Sequence, residues 1–152
     1  MQKWAAIAAT LGLVTLAGCG GDDGPMTVKG EVVISDQTGP SGGIKVENGS
    51  MPKDGDACSG ANGYDDIGAG AGVAVKDADG NLIGASTLSA GKLSDYYDVG
   101  EGANTAKCIF AFTATDVKDA SSEGNTISLG SRKSPALTKD ELKDGPSVTI
   151  GK

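Results

Sequence analysis

The sequence predicts a mostly β protein, a small antiparallel β-sandwich of about seven short strands, and three observations carry that reading. Apolar and polar side chains alternate with period two in several separate stretches, as a half-buried strand requires. Glycine supplies 25 of the 152 residues and clusters between those stretches, where the chain has to turn. Helix signals are confined to one short segment near the C-terminus.

The first strand opens at Thr27, where Val28, Gly30, Val32 and Ile34 alternate with Lys29, Glu31, Val33 and Ser35. A Gly- and Pro-rich turn over residues 38–43 follows, and Ile44 and Val46 flank Lys45 in a short second strand. Val73 and Val75 face one way on a third. Asp77-Ala78-Asp79-Gly80-Asn81 then folds the chain back into residues 82–88 as a hairpin, Asp-Gly supplying the positive φ of a tight loop. The clearest pattern lies in residues 106–115, with Ala106, Cys108, Phe110, Phe112 and Ala114 on one face; it holds both phenylalanines and belongs at the centre of the sheet. Residues 126–130 and 148–150 supply the last strands. Between them Thr138 and Glu141 fit a capping box with Leu137 and Leu142 at the staple positions, so residues 139–143 form one helical turn that Gly145-Pro146 stops. That turn is placed to plug an open end or edge of the sandwich.

Composition narrows the function. The chain has no histidine and a formal net charge of -7, which removes imidazole chemistry and the basic stripe that nucleic acid needs. Only 4% of residues are aromatic, so the core is thin and gains from a covalent staple.

The N-terminus reads as an address. Lys3 precedes an apolar or small run of about twelve residues, whose rise as a helix, roughly 18 Å, falls short of about 30 Å of hydrocarbon. It has the form of an export signal. Leu16-Ala17-Gly18-Cys19 resembles the lipobox of bacterial lipoprotein precursors. That resemblance implies cleavage after Gly18, a thioether-linked diacylglycerol on Cys19, and further acylation, palmitate among the usual chains, at the new amino terminus. Residues 1–18 are then a signal peptide, 19–26 the lipidated cysteine and a flexible tether, and 27–152 the sandwich domain. With Cys19 assigned to lipid, Cys58 and Cys108 are an even pair in an exported protein and are expected to be bonded. Closing a loop of about 50 residues stabilises a fold by on the order of 4 kcal/mol on the chain-entropy model. A zinc site or a catalytic thiolate suits these cysteines less well, since neither has histidine partners.

Motifs with possible chemistry are few. Asp54, Asp56, Asp65 and Asp66 fall within one glycine-rich loop and offer oxygens to calcium, against the plainer reading of solvated acidic turns. Ser89–Lys92 and Ser50–Lys53 both satisfy Ser-x-x-Lys, but the Lys-Thr-Gly partner motif is absent. Asp65 and Asp66, as strand neighbours, point to opposite faces, which does not suit glycoside hydrolysis. Gly68-Ala69-Gly70-Ala71-Gly72 lacks the Lys and the helix of a phosphate loop. Arg132 and Lys133 read as a solvated strand end, with anion binding as the alternative.

One set of residues has a wider resemblance. Cys58-Ser59-Gly60, Gly63-Tyr64-Asp65-Asp66-Ile67, Asp79-Gly80, Leu88, Gly91-Lys92-Leu93, Cys108-Ile109-Phe110-Ala111-Phe112, Val117 and Arg132 together resemble a pattern of small exported or membrane-anchored actinobacterial proteins of unknown function. The pattern spans residues 56–132. It implies a Cys58–Cys108 disulfide and a host with a lipoprotein-processing envelope. The chain departs from it at Asn125-Thr126-Ile127, where the pattern has an aromatic residue. It also implies that Tyr64, Asp65 and Asp66 are constrained, as a corner in which the Tyr hydroxyl bonds backbone or as a recognition edge. The expected protein is lipid-anchored at the extracytoplasmic face of the cell membrane, a non-catalytic binding or interaction module for an envelope protein or ligand. Its candidate contact residues are Tyr64, Asp65, Asp66 and an exposed Tyr96-Tyr97 pair. A calcium-dependent binder and a small hydrolase are the alternatives.

Overall fold

The computed structural model describes residues 24–47, 51–98 and 104–151; the expected signal, Cys19 and Ser50 lie outside them. Along the chain run β1 (Met26–Thr38), β2 (Ile44–Val46), β3 (Ala57–Gly60), β4 (Gly72–Lys76), β5 (Leu82–Thr87), β6 (Gly91–Asp98), β7 (Asn104–Val117), β8 (Thr126–Leu129), β9 (Arg132–Lys133), α1 (Lys139–Asp144) and β10 (Ser147–Gly151). They form two sheets. The larger has the order β10-β1-β2-β3-β6-β7 and closes on itself because β7 also pairs with β1; the smaller has the order β5-β4-β8-β9.

The expected mostly β, two-sheet fold with one disulfide and one short helix is what the chain adopts. Two pairings depart from the antiparallel expectation: β10 runs parallel to β1 over Glu31–Ser35, and β2 meets β1 in parallel at Thr38 and Ile44. The β2 contact is a single register pair across the turn at 39–43, whereas the extended parallel ladder with β10 needs a crossover. For β10 the crossover includes α1, whose Thr138–Glu141 capping box and left-handed Gly145 C-cap match the sequence signals. Leu142, fully buried, ties that turn into the core.

Strand β7 lies at the centre, paired with β1 from Val28 to Thr38 on one side and with β6 on the other. Its predicted inner face, Ala106, Cys108, Phe110, Phe112 and Ala114, is buried throughout. Near its end Asp116 takes φ 56, and the register slips opposite Met26 and Val28. The bulge shifts the phase of the strand so that Val117 as well as Ala114 points inward. Gly30 is required on the facing strand, since a Cβ there would lie 2.6 Å from the Phe112 ring.

Cys58 on β3 and Cys108 on β7 are bonded, with Cα atoms 6.0 Å apart. Strand β6 runs between them, and Gly91, paired with Cys58, makes room: a Cβ there would stand 2.8 Å from the Cys108 Sγ and 2.5 Å from the Phe110 ring. The smaller sheet packs through β5 on β7, where Gly84 lies against Val117 and the Ser86 hydroxyl donates to the Thr113 carbonyl at 2.7 Å. Val73, Val75, Ile127 and Leu129 of that sheet share one hydrophobic cluster with the inner residues of the larger one.

Candidate functional site

Two adjoining grooves open at the Thr38 end of β1. The first, about 810 Å³, lies between Ser35–Gln37 of β1, the turn at 41–43, the loop at 62–64, Thr105 of β7 and Arg132 of β9. Its floor is built by successive turns: Tyr64 N–H donates to the Ala61 carbonyl at 3.1 Å and Ile67 N–H to the Tyr64 carbonyl at 2.8 Å. Asn62, at φ 45, donates its amide to the Pro40 and Gly42 carbonyls at 3.1 and 2.7 Å, which locks the two loops together. Gly43 lets the Tyr64 ring and Asp36 approach, for a Cβ there would be 2.6 Å from the ring and 2.5 Å from the Asp36 carboxylate.

Arg132 joins the smaller sheet to this loop. Its guanidinium donates to the Asp66 carboxylate and to the Gly63 carbonyl, and its Cζ stands 5.5 Å from the Tyr64 ring centroid. The sequence reading as a solvated strand end is therefore corrected: the side chain is 28% exposed and held by three partners. The Tyr64 corner is made by its ring and by the backbone turns on either side of it, and the ring borders the first groove.

The second groove, about 800 Å³, shares Asn62 with the first and is bounded by β2, Met51, Pro52, Tyr96 and Asn104. The Tyr96 hydroxyl lies 2.7 Å from Asn104 Nδ2, and Tyr96 N–H donates to Asp54 Oδ1 at 3.0 Å. The expected exposed tyrosine pair is split. Asp95 takes φ 51 in a register slip between Ser94 and Tyr97, so Tyr96 packs against the core while Tyr97 is 67% exposed and borders neither groove.

The four candidate calcium ligands have separate local duties. Asp54 holds Tyr96, Asp56 accepts from Lys53 N–H at 3.1 Å, Asp65 accepts from Gly63 N–H at 3.0 Å, and Asp66 pairs with Arg132. Among the described residues no three His, Cys, Asp or Glu side chains are grouped to hold a metal. Ser89 of the Ser-x-x-Lys motif clasps β7, its hydroxyl accepting from Ala111 N–H at 3.1 Å, while Lys92 is exposed on β6.

Comparison with family models, curated proteins and solved structures gave no match. The grooves therefore stand on their own geometry. Of the residues singled out in the sequence, Tyr64, Tyr96 and the loop residue Asn62 line the grooves and Asp65 and Asp66 do not; Asp36, Asn104 and Thr105 were missed, being brought to the grooves only through strand register. The signal for Arg132 was its place in the same residue pattern as Tyr64 and Asp66.

Proposed function

We propose that the protein is a lipid-anchored binding module of the cell envelope, held by acyl chains on Cys19 and acting by recognition rather than catalysis. The observation that supports this reading is the direction of β1. Met26, the last residue of the expected tether and the first of β1, stands opposite Val117, whereas Thr38 at the far end borders the second groove. Thirteen residues of strand span roughly 40 Å. A tether of about seven residues reaches at most about 25 Å. Attachment and grooves thus occupy opposite ends of the longest shared ladder, and the grooves face away from the lipid. Among the described residues no helix is long and apolar enough to cross a membrane.

A photo-crosslinking amino acid placed at Gln37 or Thr105, both on the groove rim, and separately at Lys143 near the tether end, tests the reading in living cells. The expected result is a discrete envelope adduct from the rim positions and none from Lys143. Equal labelling from all three, or none from the rim, would overturn it.

A further inference from the structure

We propose that Asn62 is a site of spontaneous deamidation, gated by the hydrogen bonds it makes between the two loops, and that its conversion releases the clamp for good. The inference goes beyond the binding-module reading and stands without it. Among the described residues Asn62 is the only asparagine that precedes glycine. Glycine has no Cβ to hinder its backbone nitrogen from attacking the neighbouring side-chain amide. Asn62 is exposed, Gly63 takes φ 103, and a Cβ on Gly63 would meet nothing within 4 Å, so water reaches the pair freely. Folding nevertheless ties down both reacting groups. Asn62 Nδ2 donates to the Pro40 and Gly42 carbonyls at 3.1 and 2.7 Å, and the Gly63 N–H donates to Asp65 Oδ2 at 3.0 Å. Electrophile and nucleophile are held to different partners, and ring closure waits until the two loops part.

When they part, the Gly63 nitrogen gives its proton to solvent base and bonds to Asn62 Cγ. The bond from Cγ to Nδ2 breaks, and that nitrogen leaves as ammonia. The succinimide so formed takes up one water and opens to aspartate or isoaspartate. The amide of Asn62 donates to both carbonyls, whereas a carboxylate only accepts, so the product faces two acceptors and cannot restore the clamp. Asn62 lines both grooves, and one event therefore adds a negative charge to each of them, on a chain already at -7.

Incubation of the full-length protein in mildly alkaline buffer, folded or unfolded in guanidinium, tests the gate. The tryptic peptide 54–76, whose single asparagine is Asn62, is then assayed by mass for exchange of amide for acid and for isoaspartate. Conversion in the folded protein is expected to be about ten- to a hundredfold slower than in the unfolded chain, the scale of the few exposed hydrogen bonds that must break. Equal rates, or a folded protein still unconverted after roughly a thousand unfolded half-times, would overturn the gate. Asn62→Asp tests the release. Amide hydrogen exchange at Gly42 and Tyr64, whose N–H groups bond the Gly39 and Ala61 carbonyls, should speed about tenfold in that variant. Unchanged exchange at both would overturn the release, and a partly converted wild-type sample carries the same comparison if Asn62→Asp does not accumulate.

Discussion

The two ends of β1 are built on different principles. At the Met26 end the chain is closed by packing: Val117 is turned inward by a bulge, and a capped helical turn presents the buried Leu142. At the Thr38 end the backbone is held by polar contacts, with Asn62 clamping two turns, Gly43 yielding space to Tyr64, and the Asn104 amide oxygen without a partner among the described residues. Between them the disulfide crosses β6. The contrast teaches that apolar packing is concentrated in the closed end and the central staple, while the open end is held by polar contacts.

The largest expected effect comes from the staple. Cys58→Ser should cost roughly 2–5 kcal/mol in denaturant titrations, a range that takes in the on the order of 4 kcal/mol expected for closing so long a loop. At the closed end Leu142→Ala should cost about 3 kcal/mol by the same measurement, because it empties a fully buried site. At the open end Arg132→Ala should cost less than about 1 kcal/mol, since its partner Asp66 is half exposed and the ring contact is partly solvated. It should nevertheless abolish the crosslink from Thr105, so a loss of stability as large as that of Leu142→Ala would break the comparison.

Acid gives the smallest effect. The Asn81 amide lowers the pKa of Asp77, the Lys107 ammonium that of Asp95, and the Thr138 N–H that of Glu141. Each carboxylate is depressed on folding, so its contribution is complete above the unfolded value of about 4 and is lost as pH falls through the lower folded one. Asp95 and Glu141 are exposed, and Asp77 is partly so. Thermal melts should therefore be flat from neutral pH down to about 4.5 and decline gently below it, with the Lys107–Asp95 share reduced by salt.

The sequence made the closed end more legible than the open one. Alternation in 106–115 and the Thr138–Glu141 spacing are local signals, and both elements form where those residues direct. Strand β6 escaped notice because Gly91 has no side chain to mark the inner face and the bulge at Asp95 breaks the period, which also concealed the parting of Tyr96 from Tyr97. Strand β3 is four residues long with Ser59 and Gly60 at its end, inside a stretch that reads as acidic loop. The Arg132 clasp joins residues 66 apart in sequence, and closure of the larger sheet depends on the long β1–β7 register. Neither leaves a periodic trace.

The proposed lipid on Cys19 and the Cys58–Cys108 bond can be read in one measurement. Intact-mass analysis of the protein taken from the membrane fraction, with and without reduction, tests both directly. The predicted result is a chain beginning at Cys19 that carries diacylglycerol and gains two hydrogens on reduction. An unacylated precursor beginning at Met1, or free thiols at Cys58 and Cys108 before reduction, would contradict it.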